Sequence, residues 1–364
     1  MTAVTDTNIV ADDAAAKREA RRARLFTRIT RAEGWCSAVG LSFIIPLLRI
    51  AAGDSPRAQL AELWRLALVP LIAIGLFLYA WAQLAPMVNT SLGAIPGPAQ
   101  VWEQTTELHV DYLREQEKEA KFYERLAERN AKLIEAGRAD RVKHREYTGK
   151  PTYYSQIWTS LQTVFFGFLL ATVVAVPLGI LCGLSATASA AFNPLIQVFK
   201  PVSPLAWLPI VTMVVSALYT SNDGTFSKSF LNSAITVTLC SLWPTLINTA
   251  LGVASIDKDL VNVSRVLKMS TWTKITKLVL PSALPLIFTG LRLSLGVGWM
   301  VLIAAEMLAQ NPGLGEFVWD EFQNGSSDSL ARIMVAVFTI GIIGFLLDRM
   351  MVAMQAAFTH SDKR

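Results

Sequence analysis

The chain has 364 residues, of which 52% are hydrophobic and 17% are charged, and its formal net charge is +5. Soluble domains carry about 25% charged residues, so this composition argues against a soluble enzyme and favours a membrane protein. The small positive excess gives no reason to expect a nucleic-acid partner, and no G-x-x-x-x-G-K nucleotide loop occurs. The three cysteines share no metal-like spacing, so we expect no metal site.

The N-terminal 60 residues contain a basic tail and a short apolar stretch. Residues 1–34 are rich in alanine and arginine and lack the apolar core of a cleavable signal, which predicts a cytoplasmic tail. The apolar part of 35–60 contains Pro46 and ends at Arg49, whereas a membrane span needs about 20 apolar residues. We therefore expect 35–60 to be interfacial or re-entrant.

Six later segments are long and apolar enough to cross a bilayer as helices. The first belongs to a predicted helix and loop at 61–100. The segments are 66–84, 157–182, 192–218, 229–251, 282–305 and 331–350. The third of them contains four prolines, Pro194, Pro201, Pro204 and Pro209. Prolines remove backbone donors and clash with the preceding turn, so they predict a break or a kink in this span.

Six spans place both termini on the same side of the membrane, and the basic tail indicates that this side is the cytoplasm. The C-terminal tail, 356–364, and the loop 252–281 then also lie in the cytoplasm. That loop contains five basic and two acidic residues, which agrees with this orientation.

The segment 101–150 differs from the rest because it carries dense charge of both signs and no proline. It predicts a long charged helix or a helical hairpin with a thin apolar stripe. The six-span topology places it outside the cytoplasm. Two interpretations stay open, a solvated spacer and a docking surface for an external partner.

The stretch NVSRVLKMSTWTKITKLVLP, 262–281, resembles the coupling motif of type I ABC importer permeases, E-A-A, three residues, Gly, nine residues, Ile, one residue, Leu-Pro. Leu280 and Pro281 match its end, whereas Lys268 stands in place of the glycine. The segments SPLAWLPI, SLWPTLINT and GLGEFV follow in the same order as in the branch of permeases for nitrate, bicarbonate, taurine and alkanesulfonates. Within that branch, SPLAWLPI, SLWPTLINT and VLKMS look most like the nitrate permeases, and the resemblance covers roughly 151–355.

The resemblance implies an all-α membrane protein, the transmembrane domain of a type I ABC importer with about six transmembrane helices and a cytoplasmic coupling helix. The permease core would be 151–355, in the bacterial inner membrane. It implies partners: a second copy of the permease, cytoplasmic ATPases that bind ATP and Mg, and an extracytoplasmic substrate-binding protein. The chain itself would be a transport subunit with no catalytic residues and no cofactor of its own. It implies transport of nitrate or nitrite by alternating access, with taurine, alkanesulfonate or bicarbonate as alternatives. An ion-coupled carrier, the remaining alternative, would need acidic residues in mid-span, and the assigned spans have none there.

The resemblance also implies which residues of the loop contact the ATPase. They are Asn262, Ser264, Arg265, Lys268, Trp272 and Lys274. The alternative is that the loop is an ordinary basic loop that contacts lipid headgroups. For the substrate pathway, charge inside a span indicates Arg292, which either contacts the anion or bonds a neighbouring helix. On the fourth span Thr245, Asn248 and Thr249 share one face near Trp243, and either pack or line a water path. Glu306, near the outer end of the fifth span, is the predicted outer gate.

Overall fold

The computed structural model describes residues 42–52, 55–90, 93–136, 144–219, 226–326 and 328–359, and six isolated positions, 26, 27, 29, 30, 138 and 142. The predicted tail 1–34 and the stretch 35–41 therefore lie almost wholly outside the described residues. The chain forms two compact units, residues 1–81 with 345–364 and residues 82–344.

Helices account for nearly all of the described secondary structure, so the predicted all-α class is confirmed. The helices are α1 Ile44–Ala51, α2 Pro56–Leu63, α3 Val69–Leu84, α4 Pro98–Glu135, α5 Tyr153–Leu184, α6 Ala186–Phe199, α7 Pro204–Leu218, α8 Lys228–Ala254, α9 Lys258–Val266, α10 Thr271–Lys274, α11 Leu280–Ala309, α12 Leu314–Asn324 and α13 Ser329–Thr359. Two π-helical turns, Trp64–Leu68 and Ile275–Val279, join α2 to α3 and α10 to α11. A two-residue antiparallel pair, β1 Asn89–Thr90 and β2 Gly93–Ala94, precedes α4.

Five helical stretches of the described chain are long and apolar enough to cross a membrane, and a sixth is the bent pair formed by α6 and α7. The axes of α6 and α7 differ by 103° across the break at 200–203. Pro201 lies in this break and Pro204 begins α7, so the predicted proline break is confirmed. By contrast, α1 is about 12 Å long at 1.5 Å per residue, which is less than half of a bilayer core.

The charged segment forms one helix, α4, of 38 residues. The chain then returns along it without helix over residues 144–150. The hydroxyl of Tyr147 donates to Glu115 at 2.6 Å, and the backbone N–H of Tyr147 donates to the hydroxyl of Tyr123 at 3.3 Å. These bonds attach the returning segment to the middle of α4.

In the unit 82–344, α8 is the central helix and packs between α5 and α11. Glycines allow this close approach. A Cβ atom at Gly179 of α5 would lie 2.8 Å from the carbonyl oxygen of Leu246, and one at Gly290 of α11 would lie 2.8 Å from the Cβ of Asn248. Membrane helices commonly pack through small residues in this way, because lipid provides no hydrophobic force to drive them together.

Candidate functional site

The predicted coupling residues lie on two short helices, α9 and α10, which connect α8 to α11. Asp257 caps α9, since its side chain accepts a hydrogen bond from the N–H of Asp259 at 2.9 Å. At the other end, the N–H of Lys268 donates to Arg265 at 3.0 Å and the N–H of Met269 donates to Ser264 at 3.1 Å. These two bonds form a Schellman motif, which ends α9 sharply.

The Schellman motif gives a physical reason for the glycine of the coupling motif. Its C′ residue adopts the left-handed conformation, which glycine adopts without steric cost. Lys268 occupies that position here, with φ 47°. The chain therefore keeps the turn geometry of the motif although it lacks the glycine.

The α9–α10 segment exposes an apolar surface with basic residues beside it. Trp272 on α10 is 74% exposed, and Val266 on α9 is 81% exposed. The other exposed apolar side chains of the segment are Leu260, Val263 and Leu267. A group of this kind is typical of a protein contact rather than of a free surface.

The remaining predicted coupling residues divide between this surface and the interior. Asn262, Arg265 and Lys268 are exposed, and Lys274 is half-buried. Ser264 is buried, and its hydroxyl donates to the carbonyl of Val261 at 2.6 Å. Ser264 therefore lies beneath the exposed surface.

The polar residues on α8 mainly contact neighbouring helices. Thr245 is buried, and both its backbone N–H and its hydroxyl donate to the hydroxyl of Ser294 on α11, at 3.0 and 2.7 Å. The amide of Asn248 donates to the carbonyl of Pro244 at 2.8 Å. Thr249 is fully buried against Gly179. These contacts support the packing interpretation for Thr245. A role of Thr245, Asn248 and Thr249 in the substrate pathway stays a proposal.

The other pathway residues lie beside this stripe. The indole of Trp243 is half-buried and stacks on Phe199, with ring centroids 6.5 Å apart. Arg292 is half-buried on α11.

Glu306 is fully buried near the C-terminal end of α11. The hydroxyl of Ser160 on α5 lies 2.9 and 2.8 Å from its two carboxylate oxygens, and the N–H of Gly315 donates to one of them at 3.1 Å. The N–H of Leu314 in turn donates to the hydroxyl of Ser160 at 2.9 Å. The carboxylate thus joins α5, α11 and α12 at one end of the bundle.

A second charged cluster was not predicted from the sequence. Arg332 on α13 lies 3.4 Å from Glu321 on α12 and 3.6 Å from Asp111 on α4, and its Nε donates to Gln104 at 3.1 Å. The cluster borders a cleft of about 600 Å³ between α4, α5 and α12. On α12, burial and then the charge of Asp320 raise the pKa of the Glu316 carboxyl. The sequence signal for the cluster was a lone arginine at the start of an apolar run.

Residues 175–360 match the family described as binding-protein-dependent transport system inner membrane component. The nitrate import permease protein NrtB of Synechococcus elongatus is 38% identical over 195 residues, covering 54% of this chain and 66% of the relative. NrtB of Synechocystis sp. is 32% identical over 295 residues, covering 81% of this chain and 90% of the relative.

The bicarbonate transport system permease protein CmpB of Synechococcus elongatus is 38% identical over 201 residues, covering 55% of this chain and 67% of the relative. A solved structure of the MetNI methionine ABC transporter in an inward-facing conformation aligns with 57% of this chain and 96% of that chain, at 15% identity and a TM-score of 0.49.

The family match covers about half of the chain and contains α8, α9, α10 and α11 in full. The resemblance inferred from the sequence motifs is thereby confirmed. Together with the apolar helices, the match makes this a multi-pass inner membrane protein. The chain belongs to the inner membrane components of binding-protein-dependent transport systems, as a permease subunit of an ABC importer.

Proposed function

We propose that this chain is the membrane-spanning subunit of an ATP-driven importer for nitrate or nitrite. It carries the anion by alternating access, and partner ATPases bind and hydrolyse the ATP. The observation that carries this proposal is the α9–α10 segment, a short basic helix pair with an exposed apolar surface between two membrane helices.

The α9–α10 segment suits the transfer of motion from a cytoplasmic ATPase to the membrane helices. The π-helical turn and α11 follow α10 without a break in the helix, so a push on α10 moves α11 as a rigid body. Trp272 is the anchor of the contact, and Arg265, Lys268 and Lys274 complement an acidic rim on the ATPase. Asn262 lies within the same contact, and Ser264 supports it from beneath.

A homodimer of this chain is the proposed functional form. Two ATPase subunits need two coupling segments, and each chain supplies one. Both termini lie in the cytoplasm in this arrangement. An extracytoplasmic binding protein delivers the anion at the end of the bundle where Glu306 joins α11 to α12, and Glu306 acts there as part of the outer gate. The substrate passes Trp243, Thr245, Asn248, Thr249 and Arg292 on its way to the cytoplasm.

Bicarbonate is the second candidate substrate, because CmpB of Synechococcus elongatus is as similar as NrtB of the same organism, each at 38% identity. Taurine and alkanesulfonates are further alternatives from the same branch of permeases. An ion-coupled carrier is disfavoured, since Glu306 is held by hydrogen bonds at one helix end and lies away from the middle of its span.

Copurification tests this proposal. The tagged chain should bring down an ABC ATPase from its host membranes, and the complex in proteoliposomes should import nitrate when ATP and the binding protein are supplied. Import is then measured with bicarbonate and taurine in place of nitrate. A chain that brings down no ATPase contradicts the importer proposal, and import of bicarbonate without nitrate contradicts the substrate.

Sidedness has a separate test. A cysteine in place of Lys274, in a background in which the native cysteines are replaced, should resist a membrane-impermeant maleimide added to intact cells and react after the cells are opened. A matched cysteine at the exposed Arg129 on α4 should react in intact cells if α4 lies outside. Labelling at 274 in intact cells contradicts the proposed orientation.

A further inference from the structure

The break between α6 and α7 lies level with the middle of the helical bundle. Ile196, near the end of α6, packs against a buried cluster from the middles of α5 and α8. The cluster consists of Ala171, Ala175, Leu242 and Leu246. Phe199, the last residue of α6, contacts two indoles, those of Trp243 at 6.5 Å and of Trp207 at 5.7 Å between ring centroids. The break therefore brings two tryptophans from different helices to one aromatic ring halfway along the bundle.

The indole nitrogens of Trp207 and Trp243 are both buried, and neither has a hydrogen-bond acceptor among the described residues. An indole N–H can only donate, and burial without an acceptor is unfavourable. Serine and threonine hydroxyls in helices can turn to the carbonyl four residues earlier, but an indole N–H has no such local acceptor. Unpartnered indoles are thus stronger indicators of a ligand than unpartnered hydroxyls.

Trp299 on α11 shows how this fold satisfies a structural tryptophan. Trp299 is 5% exposed, and its indole N–H donates to the carbonyl of Ile340 at 3.0 Å. Trp207 and Trp243 differ from it because their N–H groups face no acceptor in the described chain. The difference separates the two indoles at the break from ordinary core residues.

Lys200 adds a positive charge at the same break, immediately after Phe199. It is exposed, and it is the one charged residue in the sequence between Lys150 and Asp223. A charge inside a membrane bundle is costly, so it usually faces a water-filled cavity or a partner of opposite charge. No carboxylate of the stretch 151–219 can be that partner, because this part of the sequence has none.

We propose that Lys200, Trp207 and Trp243 form an anion-binding station in the transport path, with Phe199 holding the two indoles in place. This inference rests on the proposed function and names the residues that select its substrate. One cation and two N–H donors match a small oxyanion, whose oxygens only accept hydrogen bonds. Two neutral N–H donors and one charged side chain hold the anion weakly enough for its release, which transport requires.

The same chemistry favours nitrate and nitrite over bicarbonate and taurine. The O–H of bicarbonate is a donor, and the station offers no carboxylate to accept from it. The ammonium group of taurine would meet the charge of Lys200 and be repelled. A station made only of donors therefore prefers an anion that has no hydrogen-bond donor of its own.

The test uses the complete complex of permease, ATPase and binding protein in proteoliposomes, with uptake of ¹⁵N-nitrate as the readout. The variants are Lys200→Gln, Trp207→Phe and Trp243→Phe. Each should lower the initial rate of uptake about tenfold or more per assembled complex. The matched control is Trp299→Phe, which removes a satisfied N–H and should leave uptake per assembled complex within about twofold of wild type.

The outcomes separate this inference from the proposed function. Failure of the wild-type complex to import nitrate overturns the proposed function. Normal nitrate uptake by wild type and by all three variants overturns the anion station alone. If a Phe variant does not assemble, benzothienylalanine is introduced at that position, since it replaces only the indole N–H by sulfur. A tenfold loss of uptake by that complex then supports the anion-binding station, and an unchanged rate overturns it.

Discussion

Ser160 and Glu306 are 146 residues apart in sequence, yet the serine hydroxyl lies within 2.9 Å of both carboxylate oxygens. A fully buried carboxylate is tolerated only when its oxygens receive hydrogen bonds. Ser160 and the N–H of Gly315 provide them. The N–H of Leu314 completes the set by donating to Ser160. The junction of α5, α11 and α12 therefore depends on one small hydroxyl.

Removing this hydroxyl should destabilise the junction. We expect Ser160→Ala to lower the free energy of unfolding by about 1–3 kcal/mol, because it removes a hydrogen bond from the buried Glu306 carboxylate and leaves the N–H of Leu314 without its acceptor. The measurement is thermal unfolding of the purified protein in detergent. Thr159→Ala is the control, since Thr159 is only partly buried and its hydroxyl donates within its own helix, to the carbonyl of Ser155 at 3.0 Å. It should change stability by less than about 0.5 kcal/mol. Equal effects of the two substitutions would contradict the role of the hydroxyl.

The left-handed residue in the coupling segment gives a second prediction. Lys268→Gly should stabilise the end of α9 by about 1 kcal/mol, because glycine adopts φ 47° without the steric cost that lysine bears. Hydrogen exchange of the α9 amides should slow accordingly. Lys277→Gly, in the π-helical turn Ile275–Val279, should destabilise that turn by a similar amount and leave the exchange of the α9 amides unchanged. Faster exchange in Lys268→Gly would show that this conformation carries no strain.

The exposed indole of Trp272 should be needed for ATPase binding. We expect Trp272→Ala to weaken association with the ATPase by about 2 kcal/mol or more, as for an aromatic anchor of an interface, and to leave membrane insertion unchanged. The measurement is the amount of ATPase copurified per permease. Trp102→Ala is the control because Trp102 on α4 is 72% exposed, nearly the same as the 74% of Trp272. Undiminished association of Trp272→Ala would remove this residue from the contact.

Arg332 should hold α4 against α12 and α13. Arg332→Met removes the contacts of Arg332 with Asp111 and Gln104 on α4, so α4 should detach more readily from the bundle. Limited proteolysis should then cut α4 about tenfold faster than in wild type. Arg129→Met, on an exposed stretch of the same helix, should leave the cleavage rate unchanged. If both variants are cut at the wild-type rate, the Arg332 cluster does not secure α4.

The returning segment 144–150 should detach from α4 in acid. The hydrogen bond from Tyr147, and then the one from Lys118, hold the pKa of the Glu115 carboxyl below its ordinary value of 4.5. A lowered pKa in the folded state means that the stabilisation is complete above pH 4.5 and is lost as the pH falls through the lowered value. Hydrogen exchange of residues 144–150, corrected for its intrinsic pH dependence, should therefore show increased opening below about pH 4.5.

Tyr147→Phe provides the control for this titration. It removes the bond to Glu115 and keeps the aromatic contact with Phe122, whose ring centroid lies 5.4 Å from that of Tyr147. The acid-dependent opening should then be much smaller. The same bond raises the pKa of Tyr147 above 10.0, so the phenol of the wild type should ionise at a higher pH than a free tyrosine. An opening that is independent of pH in wild type would contradict this linkage.

Hydrophobic patterning in the sequence was sufficient to predict the helical spans and the break between α6 and α7. Long runs without charge can satisfy their backbone only as helices in a membrane, and clustered prolines must interrupt such a helix. The coupling segment could also be predicted from the sequence, because a basic stretch between two apolar spans is a local pattern. Even the turn at Lys268 could be located by counting back from Pro281, although its left-handed conformation could not.

Contacts between distant helices required the tertiary structure. Glu306 was predicted near an outer mouth, but its burial against Ser160 depends on how α5 packs on α11, which no local pattern encodes. The same holds for Arg332 with α4 and for Phe199 with Trp243. Sequence alone determined which segments enter the membrane, since transfer of a segment into lipid depends on its own composition. The tertiary structure decided which polar groups meet inside, because partners far apart in the chain are chosen by helix packing.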